Sequence, residues 1–259
     1  MESLPHWIGQ HALALWATVL ILALLAGDLL WRLERRRKLA ATGRNDYLSL
    51  QPRTATILLM LFGALFVSLS WAVWTHTALT GFDAELAQAL RAQLPPEVLG
   101  MVALVTNIGD PMLLMAAGAA VALLLARKRS WRLFVPWCVA LGGTAACGEL
   151  AKRFVKRVRP FDGHGFVVGN GYSFPSGHAM MSMVFFGMLA YLLLRQFRPP
   201  RHRATVATAV ALITIVGISR VMLQAHYLSD VLAGYALAAF WLVLSVSLAE
   251  RLRRNTRAP

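Results

Sequence analysis

Residues 204–249, ATVATAVALITIVGISRVMLQAHYLSDVLAGYALAAFWLVLSVSLA, decide the fold class. Two mostly apolar runs, 204–222 and 229–249, flank a short polar segment, and each is long enough to cross the hydrocarbon of a bilayer as a helix. Neither shows the alternation of a barrel strand, and in lipid a helix satisfies its own backbone hydrogen bonds. Working outward, the same reading gives spans at 10–31, 54–76, 109–126, 132–151 and 178–196, making seven. The chain of 259 residues is 58% hydrophobic and only 15% charged, a composition that excludes an ordinary soluble domain. The expected fold class is all-α, a polytopic transmembrane helical bundle. The first apolar stretch has no basic residue before it and is read as a retained span, not as a cleaved signal.

A formal charge of +14 invites a nucleic-acid reading, so the placement of the cations decides. Of 26 Lys and Arg, 19 fall in 32–53, 127–132, 195–203 and 251–257, all on one side of the expected bundle. The positive-inside rule makes that side, with the C-terminus, cytoplasmic, and no nucleic-acid partner is expected. The opposite connections carry Asp83, Glu85, Glu97 and Asp110 against Arg91, until five basic residues appear within 152–159. A basic cluster placed against the charge bias calls for an anionic ligand, and phosphate is the simplest one.

Residues 82–95, FDAELAQALRAQLP, have helical spacing of apolar and polar positions and read as a short amphipathic helix on the outer surface, a scaffold or lipid-facing rim. Asp110 can cap and Pro111 can open the third span after an irregular segment. The glycine-rich stretch 160–175 reads as an outer loop, in which Asp162, His164 and Tyr172 either tune headgroup choice or simply solvate the loop. Cys138 and Cys147 stand about 13 Å apart along one helix, on nearly opposite faces, and read as small apolar residues. No repeat or second globular domain is visible.

Three polar clusters map to the outer ends of the last four spans. Lys152 and Arg159, followed by Pro160, are seven apart, about two helical turns, which places both cations on one face of a helix end. Pro175, Ser176, Gly177 and His178 open a span, with Ser176 as cap, and free amides at a helix start attract phosphate oxygens. Ser219 and Arg220 close one span, and His226 and Asp230 open the next. Four residues apart on a helix, Asp230 would hold one ring nitrogen of His226 and leave the other free to attack.

In identity, order and spacing these residues resemble the three motifs of the type 2 phosphatidic acid phosphatase superfamily, over roughly 54–249. The resemblance implies a six-helix phosphatase core with one extra N-terminal span. It divides the chain into 1–53, that span with its basic loop, and 54–259, the lipid phosphatase domain; Asp28 in the extra span is then a helix-packing or interface residue, not a catalytic one. It further implies that His226 attacks phosphorus, Asp230 orients it and His178 protonates the leaving oxygen. Lys152, Arg159, Arg220, Ser176 and the Gly177 amide hold the phosphate, supported by Pro160, Pro175 and Ser219. No metal or other cofactor is expected. The implied partners are the bilayer and a lipid phosphate such as phosphatidate, phosphatidylglycerophosphate or undecaprenyl diphosphate, met on the periplasmic face of a bacterial-type inner membrane. The same residues are compatible with a lipid phosphotransferase or an idle lipid-binding or transport protein.

Overall fold

The computed structural model of the chain describes residues 3–42, 50–160 and 171–254, with side chains throughout these ranges except at 38–42. Asp162, His164, Arg44 and Arg257, and the side chain of Lys38, lie outside that description. The described residues form α1 (Leu4–Gln10), α2 (Ala12–Thr42), α3 (Pro52–Trp74), α4 (Ala78–Gln93), α5 (Pro96–Thr106), α6 (Pro111–Arg127), α7 (Trp131–Val155), α8 (Gly177–Gln196), α9 (His202–Met222) and α10 (Leu228–Arg254). Seven helical stretches are long and apolar enough to cross a membrane, as the sequence implies.

The third crossing differs from expectation. It runs from Pro96 to Arg127 and includes α5, which by itself has only 11 residues. A 3-10 turn at Asn107–Gly109 interrupts it, after which Asp110 accepts from the Leu113 amide at 2.9 Å and Pro111 opens α6. Thr106, the last residue before the break, is buried.

Helix α10 is the central pillar, packed against α3, α7 and α8, while α9 lies between α8 and α2. Trp137, Ala140, Val184, Met188 and Ala238 are buried at these contacts. Met60, Leu104 and Met112 point outward, as a lipid solvent allows. The extra span α2 lies on the outside of α9, where Arg203 Nε donates to Asp28 Oδ1 at 2.8 Å and Trp31 meets the His202 ring edge-on. Asp28 is thus a packing residue.

Helix α4 does not simply lie on the surface: Asp83, Leu86, Ala87, Ala89 and Leu90 are buried, and α1 packs on it through Gly9, where an added Cβ would stand 3.0 Å from the Ala89 backbone. Gly234 does the corresponding job at the site. A Cβ there would be 3.0 Å from the Ser176 carbonyl, so its absence lets α10 approach the start of α8, and the Ser176 amide donates to the Asp230 carbonyl at 3.0 Å.

Candidate active site

The ends of four antiparallel helices meet here: the last turns of α7 and α9 and the first turns of α8 and α10. Lys152 lies in the last turn of α7, its Nζ 3.8 Å from the position a Cβ on Gly177 would take. The helix stops at Val155, and Lys156 takes a left-handed conformation, φ 51°. Arg159 therefore does not share a helix face with Lys152, contrary to the two-turn spacing. The chain turns back instead, and Arg159 Nη1 donates to the Ala225 carbonyl at 2.8 Å and sits 3.3 Å from His226 Nε2. Arg159 Nε donates to the Gly171 carbonyl at 3.1 Å. Burial holds the Arg159 pKa below its usual value, with Asp230 opposing.

Ser176 is the N-cap of α8, its Oγ accepting from the Ala179 amide at 3.5 Å, and both Ser176 and Pro175 are buried. Phe174, fully buried with Val73 and Ala233, anchors the incoming loop. His178, in the first turn, lies within electrostatic reach of Arg220, His226, Arg159 and Lys152. Arg220, 2% exposed, donates from Nη1 to Thr106 Oγ1 at 3.1 Å, and its Nε has no hydrogen-bond partner among the described residues. Ser219 Oγ lies 2.7 Å from the same Thr106 hydroxyl.

His226 precedes α10 instead of opening it. Its amide donates to the Arg220 carbonyl at 3.2 Å, across a turn in which Gln224 has φ 45°. Its ring and the Asp230 carboxylate are 3.7 Å apart at their nearest, too far for the direct hydrogen bond that the four-residue spacing suggests. Ser173 fills the gap: its Oγ is 3.3 Å from His226 Nδ1 and donates to Asp230 Oδ2 at 2.5 Å. Asp230 also accepts from the Tyr227 amide at 3.0 Å and from Arg157 Nη1 at 2.7 Å. Burial pulls the His226 pKa down to about 4; Arg220 and Arg159 add to that, and Asp230 opposes it. The ring is neutral at pH 7, with Nδ1 toward Ser173 and Nε2 toward the cationic side. A neutral, buried imidazole facing several cations is arranged to attack an anionic electrophile.

All three sequence clusters are therefore brought together, with supporting residues that the sequence reading passed over: Thr106, Ser173, Arg157 and, behind them, Asp83 and Ser229. Tyr172 is exposed beside the site loop. Cys138 and Cys147 are free thiols, the first exposed and the second half-buried.

Residues 133–254 match the profile of the PAP2 superfamily. The lipid A 1-phosphatase of Rhizobium johnstonii is 35% identical over 207 residues, 70% of this chain and 78% of that protein. Phosphatidylglycerophosphatase B of Bacillus subtilis is 30% identical over 118 residues, 45% of this chain, and the chain spans only 58% of that relative. The crystal structure of a transmembrane PAP2 type phosphatidylglycerolphosphate phosphatase from Bacillus subtilis shares the fold, with a TM-score of 0.63 at 24% identity over 77% of this chain and 98% of the other.

Proposed function

This chain belongs to the PAP2 superfamily, and we propose that it is a membrane phosphatase that hydrolyses a phosphomonoester or diphosphate of a lipid at the periplasmic face, through a phosphohistidine on His226. The observation that carries the reading is the buried, neutral His226, its Nε2 beside Arg159 at the bundle end where Lys152, Gly177, His178 and Arg220 also converge. In the first step Nε2 forms a bond to phosphorus while the bond to the lipid oxygen breaks, and that oxygen takes a proton from His178, which carries one once the bound phosphate anion offsets Lys152, Arg159 and Arg220. In the second, water attacks the phosphohistidine, gives a proton back to His178 and releases inorganic phosphate. Lys152, Arg159, Arg220, Ser176 and the Gly177 amide neutralise the phosphoryl oxygens in the in-line transition state. Cations in place of carboxylates face the phosphate, so the chemistry is assigned to the protein's own donors, without a metal.

Topology supports the periplasmic assignment: the outward ends are opposite the loops that carry 19 of the 26 basic residues. Residues 54–259 would form the catalytic unit and 1–53 an accessory one. Phosphatidylglycerophosphate and lipid A 1-phosphate, from the relatives' names, join phosphatidate and undecaprenyl diphosphate as candidate substrates. The test is phosphate release by detergent-solubilised protein across these four lipids, with a chelator present. Turnover by the intact protein that is abolished in His226→Ala is the expected result. Undiminished release by His226→Ala, or activity only when metal is supplied, would refute the assignment.

A further inference from the structure

We propose that Asp83, on the outer helix α4, is a positioning residue for the reaction: acting through Arg157, it fixes the Asp230 carboxylate and thereby the attacking ring. This rests on the reading of His226 as nucleophile.

The geometry is a closed set of contacts across three segments. Arg157 Nη1 donates to Asp230 Oδ1 and to Ser229 Oγ, both at 2.7 Å, and Nη2 donates to Asp83 Oδ2 at 2.8 Å. The Ser229 amide donates to Asp83 Oδ1 at 3.2 Å and its hydroxyl to Oδ2 at 2.5 Å. The two carboxylate side chains are 0% exposed and the guanidinium side chain 10%. The guanidinium carbon lies 3.9 Å over the Tyr227 ring, which blocks one face of the fork. A guanidinium gripped by Asp230 alone could pivot about that single contact. Held from the opposite edge by Asp83, stacked on Tyr227 and bonded to Ser229, it has one position, and so does Asp230.

Charge points the same way. As the bond to phosphorus forms, the imidazole of His226 becomes cationic in a pocket already facing Arg159, Arg220 and Lys152, with His178 on α8 alongside. Arg157 with Asp230 alone is a neutral pair. Adding Asp83 makes the triad a net anion behind the ring, which favours the charge that develops only in the transition state. A salt bridge that merely fastened α4 to the bundle would need no link to Asp230.

The experiment uses the full-length protein in detergent and the fastest-turned-over of the four lipid phosphates above, with inorganic phosphate as competing inhibitor. Asp83→Asn keeps the shape and removes the charge. It is expected to lower kcat by about tenfold or more, with KM and phosphate inhibition within about twofold of the parent, since the phosphate donors are untouched. Ser229→Ala, which leaves no carboxylate without its guanidinium, covers the case in which Asp83→Asn fails to fold and is expected to lower kcat by about threefold or more with the same unchanged phosphate inhibition. Folded Asp83→Asn with kcat within about twofold of the parent overturns the proposal, as does loss of phosphate affinity in step with kcat in either variant. Turnover that survives His226→Ala would sink the nucleophile assignment itself, a distinct failure seen in the same set of assays.

Discussion

Ser173→Ala tests the link between nucleophile and carboxylate most directly. In the folded protein His226 Nδ1 and Asp230 Oδ2 are 3.7 Å apart, and the Ser173 hydroxyl, 3.3 Å from one and 2.5 Å from the other, is what joins them. Removing it leaves Asp230 with Arg157 at 2.7 Å and the Tyr227 amide at 3.0 Å, so the buried charge keeps its partners and the fold should survive. The ring, by contrast, loses the only side-chain contact on the Nδ1 side that is short enough for a hydrogen bond among the described residues. A hydrogen bond to a charged group contributes about 1.5–3 kcal/mol, and one from which the transition state benefits converts, at about 1.4 kcal/mol per tenfold, to a loss of about 10- to 150-fold in kcat. Ser173 is not one of the groups assigned to the phosphate, so inorganic phosphate should inhibit the variant as well as the parent. Steady-state phosphate release in mixed micelles, with thermal unfolding monitored in parallel, reads both quantities. A kcat within about threefold of the parent would mean that His226 is oriented by its backbone and neighbours, and that the Ser173 bridge is incidental.

Arg220→Ala should lower turnover by about a hundredfold or more, because preorganised donors to the developing charge are worth about 3–4 kcal/mol each; near-normal kcat in purified protein would remove Arg220 from the site. Because burial and the neighbouring cations Arg220 and Arg159, opposed by Asp230, hold the His226 pKa at about 4, the neutral nucleophile persists well below the ordinary histidine range. The rate is expected to fall as pH drops through about 4, in a limb of kcat/KM that Ser173→Ala displaces. A monoester substrate adds its own limb near its second ionisation, at about pH 6, which no variant moves. An enzyme limb centred near the free histidine value would contradict the buried, cation-flanked geometry. Gly9→Leu places a side chain where even a Cβ would stand 3.0 Å from the Ala89 backbone, so α4 must shift. If α4 positions Asp83, kcat falls by about threefold with phosphate inhibition unaltered, while a purely peripheral α1 would leave kinetics untouched and change only the unfolding temperature.

The seven crossings were legible because length and apolar content are all a bilayer demands, and the three clusters because charged and imidazole side chains at membrane ends are conspicuous. What misled was the extension of helical periodicity beyond the helices. Lys152 and Arg159 do converge, but through a left-handed reversal at Lys156, and His226 meets Asp230 from an irregular turn and through a serine. Residues 96–106 escaped notice because eleven residues cannot cross a bilayer unless the break at Asn107–Gly109 is continued by α6. Ser173 carried no signal, being one polar residue in a glycine-rich loop. Asp83 did carry one: it shares a stripe, at helical spacing, with Leu86, Ala87 and Leu90, and an acid on the apolar face of an amphipathic helix needs a buried partner.

The basic cluster at 152–159, which runs against the charge bias of the rest of the chain, is accounted for by this arrangement in two ways. Part of it is matched inside the protein: Arg153 Nε donates to Glu149 at 2.9 Å, and Arg157 is shared between Asp83 and Asp230. Lys152 and Arg159 would serve two purposes at once on the proposed reading. Lys152 faces Gly177, and Arg159 faces His226, where a phosphate would lie, and before it arrives the fields of Arg159 and Arg220 help keep the imidazole neutral and able to attack. On the proposed mechanism an incoming phosphate would cancel much of that positive field, so that Asp230, joined to the ring through Ser173, would become the dominant charge as the ring turned cationic. On the proposed mechanism, cations that bind the substrate would also hold the nucleophile ready and withdraw their opposition when it reacts. A site that bound phosphate without turning it over would have no need for that second effect.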